Sequence, residues 1–591
     1  MRLKLYTSLL TLGALFVGGC QSDLLDTSPY NKISSANMWS SESLADQGIT
    51  GIYAGLNRTP FGSRIWWFDH YGVNSQKRDP ESLTWGTIKS NDNIFLERWR
   101  AGYDMIHRAN DALANLDKAP MSAEKRNRLV GESKFLRAYA YYCLNEVFKG
   151  VPVYLEPVEI AEATRARETE QRVWEVIIED LTACIENTHL PDKYRKGDAN
   201  FGRATKAAAY ALRGKAYMWT KDFAKAEADL KKVGALGHSL LKVTDYKMLF
   251  KEVNEQSDEM IFSAQNVSIS GLGIDTQRYV GSRVSAGVAG GAGWNHYLPS
   301  PDFVDSYECL DGTPFNWDNF LPGYNAMTPR QRKVFFLRDN LTQAEKDRFT
   351  AEGAAMQYYL NTGNEERIKK AYDQRDPRLR ATIVTPYSTY LGTRDNVTES
   401  LYTLRWPYRN FAAPTLDYIT DTNTKFYYLY RKFVAEGVRE IVDRDYVPID
   451  IPLIRYADVV LLLAEAINEQ RYDPEAIALV NQVRSRAGCA LLQNADGSKP
   501  TFVSGQSNLR ERIRNERRWE FNLEGVNFFD EYRWGTWHLT KFKSDSGGKQ
   551  VWGELDSSPN VWPGDYYYKW PIPRTEKEMN RNIVQNEGWL D

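Results

Sequence analysis

The chain has few of the residues that catalysis, metal binding or cross-linking would need. Among 591 residues there are five cysteines and six histidines. No two cysteines form a C-x-x-C pair, so a zinc or thioredoxin-type site has no support. The histidines are scattered, and the sequence holds no H-E-x-x-H motif, no P-loop and no G-x-G-x-x-G after a strand pattern. We therefore predict that the protein is not an enzyme and uses no cofactor, and the sequence shows no recognisable metal-ligating residues, which leaves a structural ion open.

An excess of charge of either sign is also missing. Lys and Arg together number 75 against 77 for Asp and Glu, which gives a formal net charge of −2. Because a nucleic-acid-binding surface needs a clear basic excess, nucleic acid is not an expected partner. The hydrophobic fraction of 42% and the charged fraction of 26% are ordinary for a globular protein and exclude a disordered or fibrous chain.

No apolar run is long enough to span a bilayer as a helix. The apolar stretch 5–17 is too short for that, and it follows the basic residues Arg2 and Lys4, an order typical of a secretory signal. It ends in Val-Gly-Gly-Cys20, which resembles a bacterial lipobox, where the signal is cut before a cysteine that then receives the lipid. We predict a signal peptide over 1–19, lipidation of Cys20 and a tether over 20–40, with acyl chains holding the mature protein to a membrane. The alternative is an ordinary signal peptide with an incidental cysteine.

Apolar residues at helical spacing predict a mostly α fold. Two pairs of predicted helices have small residues twelve positions apart, Gly214 with Ala226 and Ala464 with Ala476, which resembles a tetratricopeptide repeat. We predict one domain over 41–591, a helical-repeat scaffold with long irregular insertions near 58–90, 255–340 and 376–450. The predicted helices cover 41–56, 91–116, 122–148, 170–187, 203–220, 222–235, 454–469 and 473–487. Loops this long in a compact protein are usually functional, so the insertions are expected to form a ligand-binding face.

Two of the irregular segments combine aromatic rings with polar side chains. A sugar ring offers an apolar face that aromatic rings cover and a rim of hydroxyl groups that amide, carboxylate and guanidinium groups bond, and binding clefts often mix such groups. We predict that Trp85 and Trp294 belong to one ligand platform, although 209 positions separate them (294 − 85). The candidate ligand-binding residues are Trp66, Trp67, Asp69, Asn74, Arg78, Asp79 and Trp85 in the first segment, and Tyr279, Arg283, Trp294 and Asn295 in the second.

Several segments, in order along the chain, resemble the SusD/RagB family of Bacteroidetes outer-membrane nutrient-binding lipoproteins. The run after Cys20, QSDLLDTSP, is similar to the start of a mature family member. The later matches are GESKFLRAYAYY from Gly131, PLIRYADVVLLLAEA from Pro452, ERRWEF from Glu516 and KWPIP from Lys569. The stretch at Glu516 invites a functional interpretation, but we predict that its Arg and Glu residues form ion pairs that fix a packed helix.

The resemblance implies a helical fold with tetratricopeptide-like units and no catalysis. It implies cell-surface binding of an oligosaccharide or polysaccharide and its delivery to a SusC-type TonB-dependent transporter. It also implies that a lipid anchors the protein to the outer membrane, where the protein faces the cell exterior. Two alternatives stay open: a peptide-binding lid of a RagA/RagB-type oligopeptide importer, and a helical-repeat scaffold that binds only proteins. A surface glycosidase is the least favoured function.

Overall fold

A computed structural model describes residues 35–79, 81–281, 293–393, 398–409, 416–418, 425–437, 440, 443–556 and 558–590. Cys20 and Arg283 lie outside these residues. The α-helices are α1 (Ser35–Met38), α2 (Glu42–Tyr53), α3 (Asn93–Asn115), α4 (Ala123–Phe148), α5 (Glu170–Glu186), α6 (Lys206–Thr220), α7 (Phe223–Ala235), α8 (Thr276–Tyr279), α9 (Pro301–Ser306), α10 (Pro329–Arg332), α11 (Gln343–Ala351), α12 (Asn364–Asp373), α13 (Pro377–Thr382), α14 (Tyr456–Gln470), α15 (Pro474–Ala487), α16 (Gln506–Glu520), α17 (Asn527–Trp534), α18 (Trp537–Thr540) and α19 (Arg574–Met579).

The long helices form the predicted scaffold. Helices α2 to α7 each pack on the next, and α14 then packs on α7, on α15 and on α16, so the second helix pair continues the stack. Side-chain caps start several helices: the Ser122 hydroxyl accepts from the Lys125 amide, and the Thr205 hydroxyl accepts from the Ala208 amide. A Cβ on Gly214 would lie 2.8 Å from Cδ2 of Leu230, which explains the small residue where α6 and α7 meet. The prediction of a helical-repeat scaffold is thus confirmed.

Short strands occur mainly in the insertions between the helix pairs. The strands are β1 (Ser75–Lys77), β2 (Met260–Ala264), β3 (Tyr297–Pro299), β4 (Ile383–Val384), β5 (Thr389–Thr393), β6 (Glu399–Thr403), β7 (Leu416–Asp417), β8 (Leu429–Tyr430) and β9 (Ile451–Arg455). Strands β1 and β3, β2 and β9, and β4 and β8 pair antiparallel, whereas β5, β6 and β7 form a small mixed sheet. Strand β9 leads directly into α14, so β2–β9 ties an insertion to the scaffold.

Two hydrophobic cores fill the molecule. One lies among the scaffold helices and includes Phe135, Leu212 and Leu461, and the other lies among the insertions and includes Phe303, Phe336 and Tyr428. Helix α16 serves both, since Leu509 and Ile513 belong to the first core and Trp519 to the second. The insertions therefore have a core of their own instead of lying as loose loops on the scaffold.

Buried ion pairs lie along α16, between the two cores. Glu516 bonds Arg378 at 2.7 Å and Arg484 at 2.9 Å, and Glu520 bonds Arg455 at 2.7 Å. These side chains are almost completely enclosed. The prediction that this stretch is structural is confirmed, but its partners come from α13, α15 and β9, whereas neighbours at helical spacing were expected.

Among the described residues, no helix is both long enough and apolar enough to cross a membrane. Cys143 and Cys184 are buried free thiols.

Candidate functional site

Strand pairing joins the two aromatic segments that the sequence singled out. Ser75 lies opposite Pro299 and Lys77 opposite Tyr297 in the β1–β3 ladder. The ladder is extended by the Arg78 amide, which donates to the His296 carbonyl at 2.8 Å. Residues far apart in the chain therefore lie side by side, in a short two-stranded ribbon beside the 3₁₀ segment Ile65–His70.

Four half-buried rings form what we call the aromatic cluster: Trp67, Tyr279, Trp294 and His296. The ring centroids are 6.0 Å apart for Trp67 and Tyr279, 5.6 Å for Tyr279 and Trp294, and 5.5 Å for Trp294 and His296. The first two contacts are edge-to-face and the third is tilted, and such contacts hold the rings in fixed positions. The cluster brings together three residues that the sequence predicted for the site, from both segments.

Guanidinium groups lie over two rings of the aromatic cluster. The Arg278 guanidinium carbon is 4.8 Å from the ring centre of Trp294, and that of Arg444 is 5.8 Å from it. Arg64 lies 4.6 Å from the ring centre of Trp67. Positively charged groups therefore lie against the rings of Trp67 and Trp294, so a ligand that reaches Trp294 also meets cations.

Arg78 and Asp79 connect the ribbon to the cluster. The Arg78 guanidinium donates to the Trp294 carbonyl at 3.0 Å and so fixes the segment that carries this ring. The Asp79 carboxylate is about half exposed and lies 3.3 Å from Arg78 and 3.5 Å from Nδ1 of His296. Asp69, Arg78 and Asp79 are the charged residues predicted for the site that the structure describes, and Asp79 is the most exposed of the three.

Four predicted ligand residues are enclosed in the protein. Trp66, Asp69, Asn74 and Asn295 have at most 1% of their surface exposed. Trp66 packs edge-on against Tyr297 at 5.4 Å, and the Asn74 amide donates to the Arg518 carbonyl at 3.0 Å. These side chains are enclosed in this structure and present no surface to a ligand, whereas the sequence analysis named them as candidate ligand-binding residues.

A close contact between Gly525 and Ile65 holds the 3₁₀ segment Ile65–His70 against the scaffold. Gly525, in the turn between α16 and α17, has a φ of 71°. A Cβ there would lie 2.2 Å from the carbonyl oxygen of Ile65. Because both the backbone conformation and the space exclude a side chain, glycine alone fits where the turn touches the start of the site.

Trp85 lies apart from the aromatic cluster, on the wall of a neighbouring cleft that we call the polar cavity. No ring contact joins Trp85 to Trp294 among the described residues, but Asp79 belongs to both places, since it lines the cavity and contacts His296. The cavity measures about 320 Å³ including the part open to solvent. The residues that matter for its chemistry are Lys77, Asp79, Glu81, Thr84, Trp85 and Lys541.

The C-terminal region completes the polar cavity, and sequence reasoning missed it. Lys541, Gly547, Gly548 and Asn560 line the wall that faces β1, and the Lys541 ammonium donates to the Ser75 carbonyl at 2.8 Å. Nothing in the local sequence of 541–560 marks it as part of a site. Its links to β1 are tertiary hydrogen bonds across more than 460 positions, from Lys541 to Ser75 and between Lys549 and Gln76.

Burial and local charges shift several pKa values beneath the site. Burial opposes ionisation of Glu81, but the nearby His70 and Lys77 outweigh it and hold the Glu81 pKa at about 2. Burial lowers the pKa of His70, and it lowers the pKa of Lys541 to about 8. Burial raises the pKa of Asp69 to about 8, because a carboxylate loses its hydration there. At neutral pH the floor of the site therefore holds a protonated Asp69 and a charged Lys541.

The described residues offer no constellation for metal chemistry. Among them, no group of three or more His, Cys, Asp or Glu side chains is arranged to hold a metal ion. What the arrangement provides is a face of rings, amide and hydroxyl groups and charges around a shallow cleft, which suits the binding of a hydroxylated ligand.

Comparison with known proteins gives matches over nearly the whole chain. Residues 258–589 match the model of the SusD family, and residues 23–218 match a family model described as starch-binding associating with outer membrane. The chain is 23% identical to a SusD-like protein of Formosa agariphila over 97% of both chains. It is 26% identical to the starch-binding protein SusD of Bacteroides thetaiotaomicron, over 92% of this chain and 87% of that one.

Solved structures show the same architecture. A SusD-like carbohydrate-binding protein of Bacteroides fragilis matches with a TM-score of 0.71 at 24% identity, over 93% of this chain and all of that one. A laminarin-binding SusD-like protein matches with a TM-score of 0.63 at 21% identity, over the same shares. At these identities the likeness establishes the helical fold.

Proposed function

Because this chain belongs to the SusD family, we propose that it binds an oligosaccharide or polysaccharide at the cell surface and delivers it to a SusC-type TonB-dependent outer-membrane transporter. The observation that carries the binding step is the aromatic cluster at the β1–β3 ribbon, where rings from two distant segments meet beside Asp79. Relatives named for binding starch, laminarin or carbohydrate give the class of ligand. We expect no catalysis from the site.

The role that we propose for each side chain follows from its exposure to solvent. Trp67, Tyr279 and Trp294 are half-buried and would cover the C–H face of sugar rings, while Arg78, Asp79 and His296 would bond hydroxyl groups at the rim. Trp85 would hold a sugar unit that enters the polar cavity. Trp66, Asp69, Asn74 and Asn295 would keep this surface in shape without touching the ligand.

Affinity electrophoresis against a panel of polysaccharides tests the binding step. We expect retardation of the wild-type protein by at least one polysaccharide and weaker retardation of Trp294→Ala. By analogy with base stacking on aromatic rings, one lost ring should cost about 1–3 kcal/mol, which is about tenfold to a hundredfold in affinity. The melting temperature should stay near that of the wild type, because the Trp294 ring is only half-buried.

Trp534→Ala is the matched control, since Trp534 is also half-buried and has an arginine, Arg514, 4.8 Å from its ring centre. This control should bind like the wild type. Equal affinity in Trp294→Ala and the wild type would refute the proposed surface. Oligopeptides that co-purify in place of glycan would favour the peptide-binding lid instead.

Lipidation of Cys20 would anchor the protein to the outer membrane, facing the cell exterior, and the scaffold would contact the transporter. The description of the matching N-terminal family model, which mentions association with outer membrane, supports this location. Isolation from native membranes in mild detergent should yield a complex with an outer-membrane barrel. Repeated isolation as a lone monomer would contradict the transporter step.

A further inference from the structure

Cationic groups outnumber carboxylates around the aromatic cluster and the polar cavity. Within the described residues we count the charged groups that touch the rings or line the cavity, together with their salt-bridge partners, and leave out Arg444 and the histidines. Five cations then face four carboxylates: Arg64, Arg78, Arg278, Lys77 and Lys541 against Asp79, Glu81, Asp275 and Asp445. The whole chain, by contrast, has a net charge of −2. The positive excess is therefore local to this face.

Lys541 is the cation with the least compensation. It is only 6% exposed, and its ammonium donates to the backbone carbonyl of Ser75. No carboxylate of the described residues lies within 4.0 Å of it, whereas Lys77 in the same cavity pairs with Glu81 at 2.6 Å. A buried charge with no directly paired carboxylate is costly, so an anion that entered the polar cavity would be favoured there.

The carboxylates of the polar cavity are already engaged. Asp79 lies within 3.5 Å of both Arg78 and His296, and Glu81 pairs with Lys77. Their repulsion of an incoming anion is therefore reduced. The rings nearby add a further preference, because Trp294 and Trp67 carry guanidinium groups over their faces.

We propose that this site selects acidic glycans, whose sugar units carry carboxylate or sulfate groups, and that the anionic group enters the polar cavity opposite Lys541. The inference rests on the proposed function and names its class of ligand. Carboxylate and sulfate share the chemistry that Lys541 would recognise, since both offer negatively charged oxygens as hydrogen-bond acceptors.

Protonation of Lys541 gives the preference a pH dependence. The cavity groups around Lys541 are His70, Lys77, Asp79 and Glu81, and the further carboxylates that act on its charge are Glu531 and Asp302; Asp69 also lies nearby but is protonated below about pH 8. Burial lowers the Lys541 pKa to about 8, although these carboxylates favour the charged form. Affinity for an acidic glycan should therefore fall as the pH rises through 8, while affinity for a neutral glycan should not.

Paired polysaccharides that share a backbone provide the test. Dextran sulfate is compared with dextran, and polygalacturonate with its methyl ester, by calorimetry on the full mature chain at low and high salt. We expect the acidic member of at least one pair to bind about tenfold to a hundredfold more tightly, the range for one charge-assisted hydrogen bond. A preference for the acidic member in only one pair would show whether the site selects sulfate or carboxylate groups.

Lys541→Met should abolish that preference and its pH dependence. Lys232→Met removes the same charge from an exposed position on α7 and should change neither. If Lys541→Met fails to fold, Arg278→Gln provides the second variant, because the Arg278 side chain is 26% exposed. It should reduce the preference for the acidic member.

Equal affinity for acidic and neutral members would overturn this inference and leave the proposed function standing. Failure of the wild-type protein to bind any of these polysaccharides, together with the wider panel above, would count against both. A preference that persists in Lys541→Met and in Arg278→Gln would overturn the assignment to this site.

Discussion

Asp69 is a carboxyl group enclosed beneath the aromatic cluster, where neither oxygen has a hydrogen-bond partner of good geometry among the described residues and the backbone N–H groups of Leu523 and Asn527 are the nearest donors. Burial raises its pKa from 3.8 to about 8, even though the nearby Lys432 favours the ionised form. The folded protein therefore holds a proton on Asp69 that the unfolded chain releases near pH 3.8. Between these values the unfolded state binds fewer protons, so this group makes the folded state less stable as the pH rises.

We predict that Asp69→Asn gains stability relative to the wild type as the pH increases from 4 to 8. The difference should grow by about 1.4 kcal/mol per pH unit in that window and level off above it. Urea unfolding of both proteins at pH 5, 6, 7 and 8 measures it. Asp79→Asn, at a half-exposed carboxylate, is the control and should run nearly parallel to the wild type. Parallel curves for Asp69→Asn as well would show that Asp69 is ionised in the folded state.

Individual residues of the site could be predicted in type but not in exposure. The sequence favoured Trp67, Tyr279 and Trp294 because rings stood among polar residues in irregular segments, and the structure brings these three rings together. The same pattern could not distinguish Trp66 from Trp67, because packing against the second core decides which of two neighbouring rings on a 3₁₀ turn is enclosed. Lys541 gave no signal, because a lone lysine in a polar segment is ordinarily solvated.

At the scale of elements, α16 joins the two halves of the molecule through charge. Glu520 accepts from Arg455 at 2.7 Å and from Arg378 at 3.2 Å, and also contacts Arg486. Burial opposes ionisation of Glu520, but these three guanidinium groups hold its pKa at about 2. Its contribution to stability is therefore fully present above about pH 4.5 and is lost as the pH falls towards 2.

We predict that Glu520→Gln lowers the free energy of unfolding by about 3–5 kcal/mol, because it leaves buried arginines without their counter-charge. Glu511→Gln, in the same helix, is the control: Glu511 is 64% exposed and pairs with Arg514 at 3.5 Å. It should cost less than about 1 kcal/mol. Urea unfolding at pH 7 compares the two variants. A cost for Glu520→Gln as small as that of the control would mean that the network contributes little to stability.

Helices were predictable where apolar periodicity and caps coincide, as in α4, which begins after Ser122 and ends at Phe148. The short strands were not, because β1 and β3 have three residues each and pair across more than 200 positions. Partners of the charged residues in α16 were equally hidden: a sequence shows which residues lie four apart on a helix, not which distant arginine the fold brings to it.

For the whole molecule, we predict that Cys20 attaches the protein to the membrane. Cys20→Ala should move the protein from the membrane fraction to the soluble fraction and abolish incorporation of labelled fatty acid. Cys309→Ala alters a half-buried free thiol instead and should leave the protein in the membrane fraction. Unchanged retention of Cys20→Ala would contradict the lipobox interpretation.

The polar cavity forms late in biosynthesis, because Lys541 and Asn560, which build one of its walls, lie near the C-terminus. A chain is made from its N-terminus, so β1 exists long before the residues that close the cavity over it. Pairing between such distant segments is slow compared with formation of the scaffold helices. A nascent or truncated chain can thus acquire its early helices without a finished cavity, and the cavity is complete only when the last tenth of the polypeptide has been delivered and has docked.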